Sequence, residues 1–444
     1  MDNISTKVNV IGAGLAGCEA AWQIAKRGIG VRLYEMKPKK FTPAHHYKGF
    51  AELVCSNSLR SSQTTNAVGL LKEELRLFGS LIMEAADATA VPAGAALAVD
   101  RYKFSDYITS KITENPLIEV IEDEITSLPD DGVTVVATGP LTSNAFSCYI
   151  GKMLGEEYLN FFDAAAPIVD ASTIDMSKAF FASRYGKGEA SYINCPMNEA
   201  EYKAFYRELV NAKEAQLKDF DKDEQKNLKV FEGCMPVEVM AKRGEDTLRF
   251  GPLKPVGLPD PKTGNEYYAV LQLRQENEQK TMYNLVGFQT HLTFDEQKRV
   301  FSMIPGLENA SFLRYGVMHR NTYINSPKLL NADYSTRTNE KLFFAGQMTG
   351  VEGYIESTSS GWLAGVNAAN RIQGKAPLIL SDISATGSLA CYVSNPNVVN
   401  FQPMNANFGL IRLLEKKVKG GKAAKNEALS ERALEYIRSI KDSI

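Results

Sequence analysis

The first apolar block of the chain, KVNVIGAG, runs a short β-branched stretch straight into glycine. LAGCEAAWQIAKRG then spaces its apolar residues at helical period and stops at Gly28, and VRLYE is the next strand. The same design, a buried strand ending in a glycine turn, recurs in VTVVATGPL and again in LFFAGQMTGVEGY, where STSSGWLAGVNAANRI continues as a helix. These blocks lie far apart in the chain. They predict an α/β protein whose Rossmann-like domain is built from both chain ends, residues 1–170 and 325–444.

Residues 171–324 have a different texture. NEAEYKAFYRELVNAKEAQLKDFDKDEQKNL is a charged helical pattern, and a Pro/Gly turn precedes alternating residues in DPKTGNEYYAVLQLRQ, as in a hairpin. That mixture predicts an inserted α+β domain. The last stretch, IRLLEKKVKGGKAAKNEALSERALEYIRSIKDSI, carries more Lys and Arg than Asp and Glu. It reads as a solvated amphipathic helix pair, with a phosphate-contacting surface as the alternative.

Composition narrows the class. A chain of 444 residues with 44% hydrophobic and 23% charged residues is ordinary for a globular protein of more than one domain. No apolar run is long enough to span a bilayer, and MDNISTKVNVIGAG lacks a signal-peptide pattern. The net charge of −2 gives no global signal for nucleic acid. Six scattered cysteines, without a CxxC pair, argue against a disulfide framework and point to a reducing cytoplasm. No metal-ligand spacing is present.

The glycine turn is the first candidate site. In GAGLAG, spanning Gly12, Ala13, Gly14, Leu15, Ala16 and Gly17, the first glycine makes the turn and the second admits a pyrophosphate. The third lets helix pack on strand, and the helix N-terminus presents N–H groups to phosphate. Glu35 closes VRLYE at the distance expected for a residue that binds ribose hydroxyls. No second GxGxxG is available for a nicotinamide cofactor. The later strand-end turns, with Gly139, Gly346 and Gln347, favour tightly bound FAD, with NAD(P)H visiting the same cleft.

Two cysteines stand out. Cys55, in FAELVCSNSLR, and Cys234, in VFEGCMPVEVMA, sit beside turn-forming or polar residues, where a thiol is exposed and its ionisation tunable. A sulfur nucleophile suits addition to an electron-poor alkene carbon. Packing as a small hydrophobe is the competing role for any cysteine; it is expected for Cys18 and Cys391, and left open for Cys148 and Cys195.

A family resemblance runs through these segments. GAGLAG, LYEMKP, TPAHHYKGFAELVCSNSLRS, NAVGLLKEELR, VPAGAALAVDR, VFEGCMPVEVMA, GPLKPVGL, GFQTHL, GVMHRNTYINSP, FAGQMTGVEGYIES and FQPMNANFGL follow one another from residue 7 to about residue 412. In that order they resemble the bacterial folate- and FAD-dependent tRNA uracil-5-methyltransferases. The resemblance implies one-carbon transfer from 5,10-methylenetetrahydrofolate to C5 of a T-loop uridine, with FAD as cofactor and NAD(P)H as reductant. It also implies that two cysteines work the pyrimidine. Cys234 matches the nucleophile that adds to C6, and Cys55 the second thiol, close to the flavin. Tyr354 is expected to stack near the isoalloxazine.

Other assignments are drawn around that pair. His291, or His319 with Arg320, would cover or hold the folate, and Arg243 and Arg249 would meet RNA phosphates. The competing roles are hydrogen-bonded structural histidines and a salt bridge from these arginines to Glu245 or Asp246. Ribosomal RNA as substrate, a flavin-binding scaffold without catalysis, and a small-molecule flavin oxidoreductase are the alternative functions.

Overall fold

The computed structural model describes residues 7–42, 44–155, 159–164, 166–186, 188–215, 235–277, 279–316, 318–398, 401–416 and 418–444; of 159–164 and 318–322 only the backbone is described. The chain starts with β1 (Val8–Ile11), α1 (Leu15–Lys26) and β2 (Val31–Glu35). All four residues of β1 are buried, as a central strand covered on both faces requires. β1 pairs in parallel with β2 on one side and with Thr134–Val136 on the other. Leu342–Phe344 then adds to Thr134–Val136, and Ile118–Glu122 to β2, completing a five-stranded parallel sheet. Strands from both chain ends therefore share one sheet, as the repeated strand-to-glycine pattern predicts.

Helix Tyr354–Ile372 packs along α1 with almost no space between backbones. A Cβ on Gly361 would come within 2.2 Å of the Ala16 carbonyl oxygen, and one on Gly365 within 2.7 Å of Ala20. The helices cross at this separation only because both glycines lack side chains. The crossing locks the C-terminal part of the chain onto the first helix, directly behind the glycine turn.

The inserted part is an α+β unit. Its antiparallel sheet has six strands in the order Phe180–Ala182, Tyr192–Met197, Ala269–Gln275, Met282–Leu285, Ile168–Asp170 and Phe312–Arg314. Helix Glu199–Asn211 starts at a capping box formed by Asn198 and Glu201. It buries Tyr202, Phe205 and Leu209 in a core of the unit's own, with Leu271, Phe288 and Phe301. An antiparallel ribbon of Leu159–Ala164 and Met318–Tyr323 carries the chain out of the parallel-sheet unit and back.

The C-terminal stretch differs from expectation. Instead of a helix pair it forms a single long helix, Gly421–Ile440, followed by a short turn at Lys441–Ser443. Gly420, its N-cap, and Gly421, its first residue, both have positive φ, at 116° and 80°, which breaks any helix running in from before them. It buries Leu429, Ala433 and Ile437, and it packs against the helix Ala67–Leu77. Among the described residues no helix is long and apolar enough to cross a membrane.

Candidate active site

At the carboxyl end of β1 the chain turns through Gly12 and enters α1, and a cleft opens beside that turn. Gly12, Ala13, Gly14, Glu35, Thr138 and Phe146 are among its walls. Gly12 has φ +98°, and a Cβ there would meet the Ala137 carbonyl oxygen at 2.7 Å. A Cβ on Gly17 would lie 1.8 Å from the Gly12 carbonyl oxygen, so this glycine sets the helix against the strand. Gly14 differs: a Cβ there would meet no protein atom within 4 Å, which leaves its face to the cleft. This division of work is the one that a dinucleotide pyrophosphate requires.

Glu35 lines the same cleft and is buried. One carboxylate oxygen accepts the Ala13 N–H at 2.8 Å and the other the Lys37 N–H at 2.9 Å. Glu35 therefore also braces the glycine turn, while each oxygen keeps a second lone pair for a ribose hydroxyl. The residues present fit a bound dinucleotide: a backbone cradle, a helix N-terminus without a side-chain cap, and an acceptor at ribose distance.

The later glycine turns are less direct. Gly139 has φ +70°, and it sits between the cleft residues Thr138 and Leu141. Gly346 donates its N–H to Ser360 Oγ at 2.7 Å, and Gln347 Nε2 donates to Glu352 Oε1 at 2.8 Å. Both of these groups serve the protein's own scaffold.

The cleft wall continues through Ala51 and Glu52 into the Cys55 loop. Each residue from 53 to 57 is gripped. Arg101 Nη1 donates to the Leu53 carbonyl, and Arg314 Nη2 to the Val54 carbonyl at 2.6 Å. The Tyr354 hydroxyl accepts the Cys55 N–H at 2.8 Å and the Ser56 N–H at 3.2 Å. Arg274 donates to Ser56 Oγ at 2.6 Å and to Asn57 Oδ1 at 3.0 Å. Asn57 is fully buried, and its Nδ2 spans the carbonyls of Val99 and Gln275, both at 2.9 Å. Arg274, Gln275 and Arg314 belong to the inserted sheet, so this loop is the seam between the two units.

Charge at the seam is uneven. Arg101 donates to Glu276 Oε2 at 3.1 and 2.7 Å, and burial of Arg101 is outweighed by that carboxylate, which holds its protonated form. Burial destabilises the charge of Arg314, and the neighbouring Arg101 adds to the effect. Burial also pushes the Tyr354 phenol up, so it stays neutral. The half-buried Cys55 interacts electrostatically with both arginines.

Several sequence assignments lie elsewhere. Cys234 falls outside the described residues, and of His319 and Arg320 only the backbone is placed, on strand Met318–Tyr323. His291 is buried between two carboxylates, with Nε2 2.9 Å from Glu214 and Nδ1 2.6 Å from Glu238. Burial alone would lower its pKa, but Glu214 and Glu238 outweigh burial and raise it to about 9. Arg249 pairs with Asp246 at 2.6 Å, and its guanidinium covers the Tyr268 ring at 3.7 Å; the salt-bridge alternative is the one observed. Arg243 follows the helix Val237–Ala241. Cys18 and Cys195 are fully buried, and burial pushes the Cys195 thiol up to about 12. Cys148 is exposed. Sequence reasoning missed Arg101, Arg274, Glu276 and Arg314, for which no local pattern gives a signal.

The parallel sheet, the glycine cradle and the cleft beside it define a Rossmann-like fold of the flavoprotein class. The family profile described as glucose inhibited division protein A matches residues 7–376. The methylenetetrahydrofolate–tRNA-(uracil-5-)-methyltransferase TrmFO of Acetivibrio thermocellus is 62% identical over 97% of this chain and 98% of its own length. The protein of the same name in Listeria innocua is 59% identical over 98% of this chain and 99% of its own. Among solved structures, GidA of Aquifex aeolicus shares the fold, with a TM-score of 0.69 at 17% identity over 99% of this chain and 75% of that one. The chain belongs to the TrmFO methyltransferases of the glucose inhibited division protein A family.

Proposed function

We propose that this protein transfers a one-carbon unit from 5,10-methylenetetrahydrofolate to C5 of a uridine in the T-loop of tRNA, in the cytoplasm, with FAD in the cleft and NAD(P)H as reductant. The observation that carries this reading is identity of 58 to 62% over nearly the whole chain to relatives named for methylenetetrahydrofolate-dependent methylation of tRNA uracil at C5. The domain division that goes with it is 1–170 and 325–444 for cofactor, and 171–324 as the insertion, corrected at one edge by strand Ile168–Asp170, which pairs within the inserted sheet.

The reaction balances without another reactant. Uridine C5–H, the folate methylene, a hydride equivalent from NAD(P)H and a proton give 5-methyluridine, tetrahydrofolate and NAD(P)⁺. Gly12 to Gly17 and Glu35 would hold FAD, which when bound supplies the redox step of one-carbon transfer. Uracil C5 is not a nucleophile until a group adds to C6, and Cys234 is assigned that addition. Negative charge then develops on O4 and requires hydrogen-bond donors. Cys55, held at the seam beside the cleft, is assigned removal of the C5 proton. Arg243, His319 and Arg320 are the assigned contacts for RNA phosphate and folate; His291 and Arg249 are engaged by their own neighbours.

The test begins with a visible spectrum of the purified protein. It is then incubated with methylenetetrahydrofolate, NADH or NADPH, and separate tRNA and ribosomal RNA transcripts. The expected outcome is a yellow protein that forms 5-methyluridine in tRNA, and a Cys234→Ala variant that stays yellow and forms none. Undiminished product from that variant overturns the nucleophile assignment. Product in ribosomal RNA alone overturns the tRNA assignment.

A further inference from the structure

We propose that Arg314 is a positioning residue for Cys55: reaching from the inserted sheet, it fixes the backbone before the thiol and, with Arg101, supplies the positive field in which the sulfur acts as a thiolate. The inference rests on the reading above only in taking Cys55 as a group that does chemistry.

Geometry carries the argument. Arg314 Nη2 donates to the carbonyls of Val54, at 2.6 Å, and of Ala44, at 3.5 Å. Arg101 takes the next carbonyl back, that of Leu53. Two guanidiniums from different structural units thus converge on the two peptides that precede Cys55, and each is electrostatically coupled to Cys55. Among the described residues, the charged groups around the loop are these. In the loop's own element, Glu52 lies 3.6 Å from Lys37, and Arg60 pairs with the buried Glu356. From the helix Arg101–Thr113 comes Arg101. From the inserted sheet come Arg274 and Arg314, and Glu276 directly follows the strand that carries Arg274. Tyr354 faces the loop from helix Tyr354–Ile372 as a neutral phenol.

The pairs Glu52–Lys37 and Arg60–Glu356 each cancel. What remains among the described residues is three guanidiniums against the carboxylate of Glu276, which lies 2.7 Å from Arg101 and 3.9 Å from Arg274, while Glu52 also acts on Arg314. Two positive charges are left over, and an anion on Cys55 is the charge that would balance part of that excess. Arg314 is not paired with Glu276, so its charge acts most directly on the loop. A loop that needed only mechanical anchoring could use neutral donors at the same carbonyls, without the cost of burying guanidiniums.

Thiol ionisation can be read without RNA or folate. The protein is treated with iodoacetamide over a range of pH, and alkylation is followed by mass spectrometry on the peptides that carry Cys55 and the exposed Cys148. In the wild type, the Cys55 midpoint is expected at lower pH than that of Cys148. In Arg314→Gln the Cys55 rate at pH 7 should fall by about five- to tenfold, as expected for loss of one nearby positive charge. Arg314→Lys should restore most of that rate. An unchanged Cys55 profile in a folded, yellow Arg314→Gln protein overturns the inference. Should that variant fail to fold, a wild-type Cys55 midpoint at or above that of Cys148 overturns it. A shifted profile in a protein that methylates no RNA upholds the inference and overturns the functional reading alone.

Discussion

The loop around Cys55 and the cluster around His291 are both buried knots of charge, and they are built in opposite senses. At His291, the imidazolium lies between Glu214 and Glu238, and Lys242 pairs with Glu214, so two positive groups meet two negative ones. At Cys55, among the described residues, three guanidiniums meet Glu276, and Glu52 acts on Arg314 besides pairing with Lys37. The bonds differ as well. The His291 cluster joins side chain to side chain, whereas the arginines and Tyr354 hold mainly the backbone of residues 53 to 56. A cluster whose charges close among themselves is a staple. One that leaves charge over at a nucleophilic side chain is a prepared environment. Burial and perturbed ionisation are common to both, so neither property separates structure from chemistry; the charge balance does.

The staple should therefore fail hardest under truncation. Glu238 is fully buried, and it accepts the Thr290 hydroxyl at 2.7 Å and the His291 N–H at 2.9 Å, besides facing the imidazolium. Glu238→Ala leaves the imidazolium with Glu214 alone and strands two donors at once. The expected loss is about 3–5 kcal/mol of unfolding free energy, measured by urea denaturation at pH 7. An unmoved midpoint would show that the cluster does not hold the inserted unit together.

The next largest effect is the staple's contribution to the pH dependence of stability. His291 has a folded value of about 9, above its ordinary 6.5, because its two carboxylates outweigh burial. Its contribution is complete below the unfolded value and is lost as pH rises through about 9. Glu214 runs the other way. Its hydrogen bond to His291, opposed by burial and joined by the bond to Lys242, lowers it from 4.5 to about 2. That contribution is complete above the ordinary carboxylate range and is lost as pH falls through about 2. Unfolding free energies of wild type and His291→Gln should thus differ most between the two ordinary values and converge towards pH 10. Parallel curves across the alkaline range would refute the assignment.

How far the sequence alone reached follows the range of the interactions involved. The glycine turn, Glu35 and the strands ending at Ile11, Val136 and Phe344 rest on local patterns, and each occurs where the pattern places it. Even the two-ended sheet follows, because three copies of one local motif imply one partner sheet. The seam does not follow. Leu53 meets Arg101, Val54 meets Arg314 and Cys55 meets Tyr354, across 48, 260 and 299 positions of chain. An arginine that donates to a distant carbonyl has no periodicity to betray it. Tyr354 illustrates the same limit. Its place beside the glycine-turn segment suggests a stacking ring, but nothing local announces that its hydroxyl accepts the amides of Cys55 and Ser56. The C-terminal helix pair failed for a local reason instead, the Gly420–Gly421 break that helical spacing alone does not weigh.

The smallest effect should come from the seam, at Asn57, and it has a distinct signature. Its Nδ2 ties Val99 of one unit to Gln275 of the other, and its Oδ1 receives Arg274. Asn57→Ala leaves two carbonyls and a guanidinium short of partners, but Arg274 keeps Ser56 Oγ at 2.6 Å. The expected cost is about 2 kcal/mol in urea denaturation. Unlike the staple variants, it should leave the pH dependence of stability unchanged between neutral and alkaline conditions, because Asn57 does not titrate and lies in the other cluster. If Asn57→Ala instead flattened the alkaline fall in stability, the two clusters would be one coupled network, and the separation of staple from prepared environment would have to be abandoned.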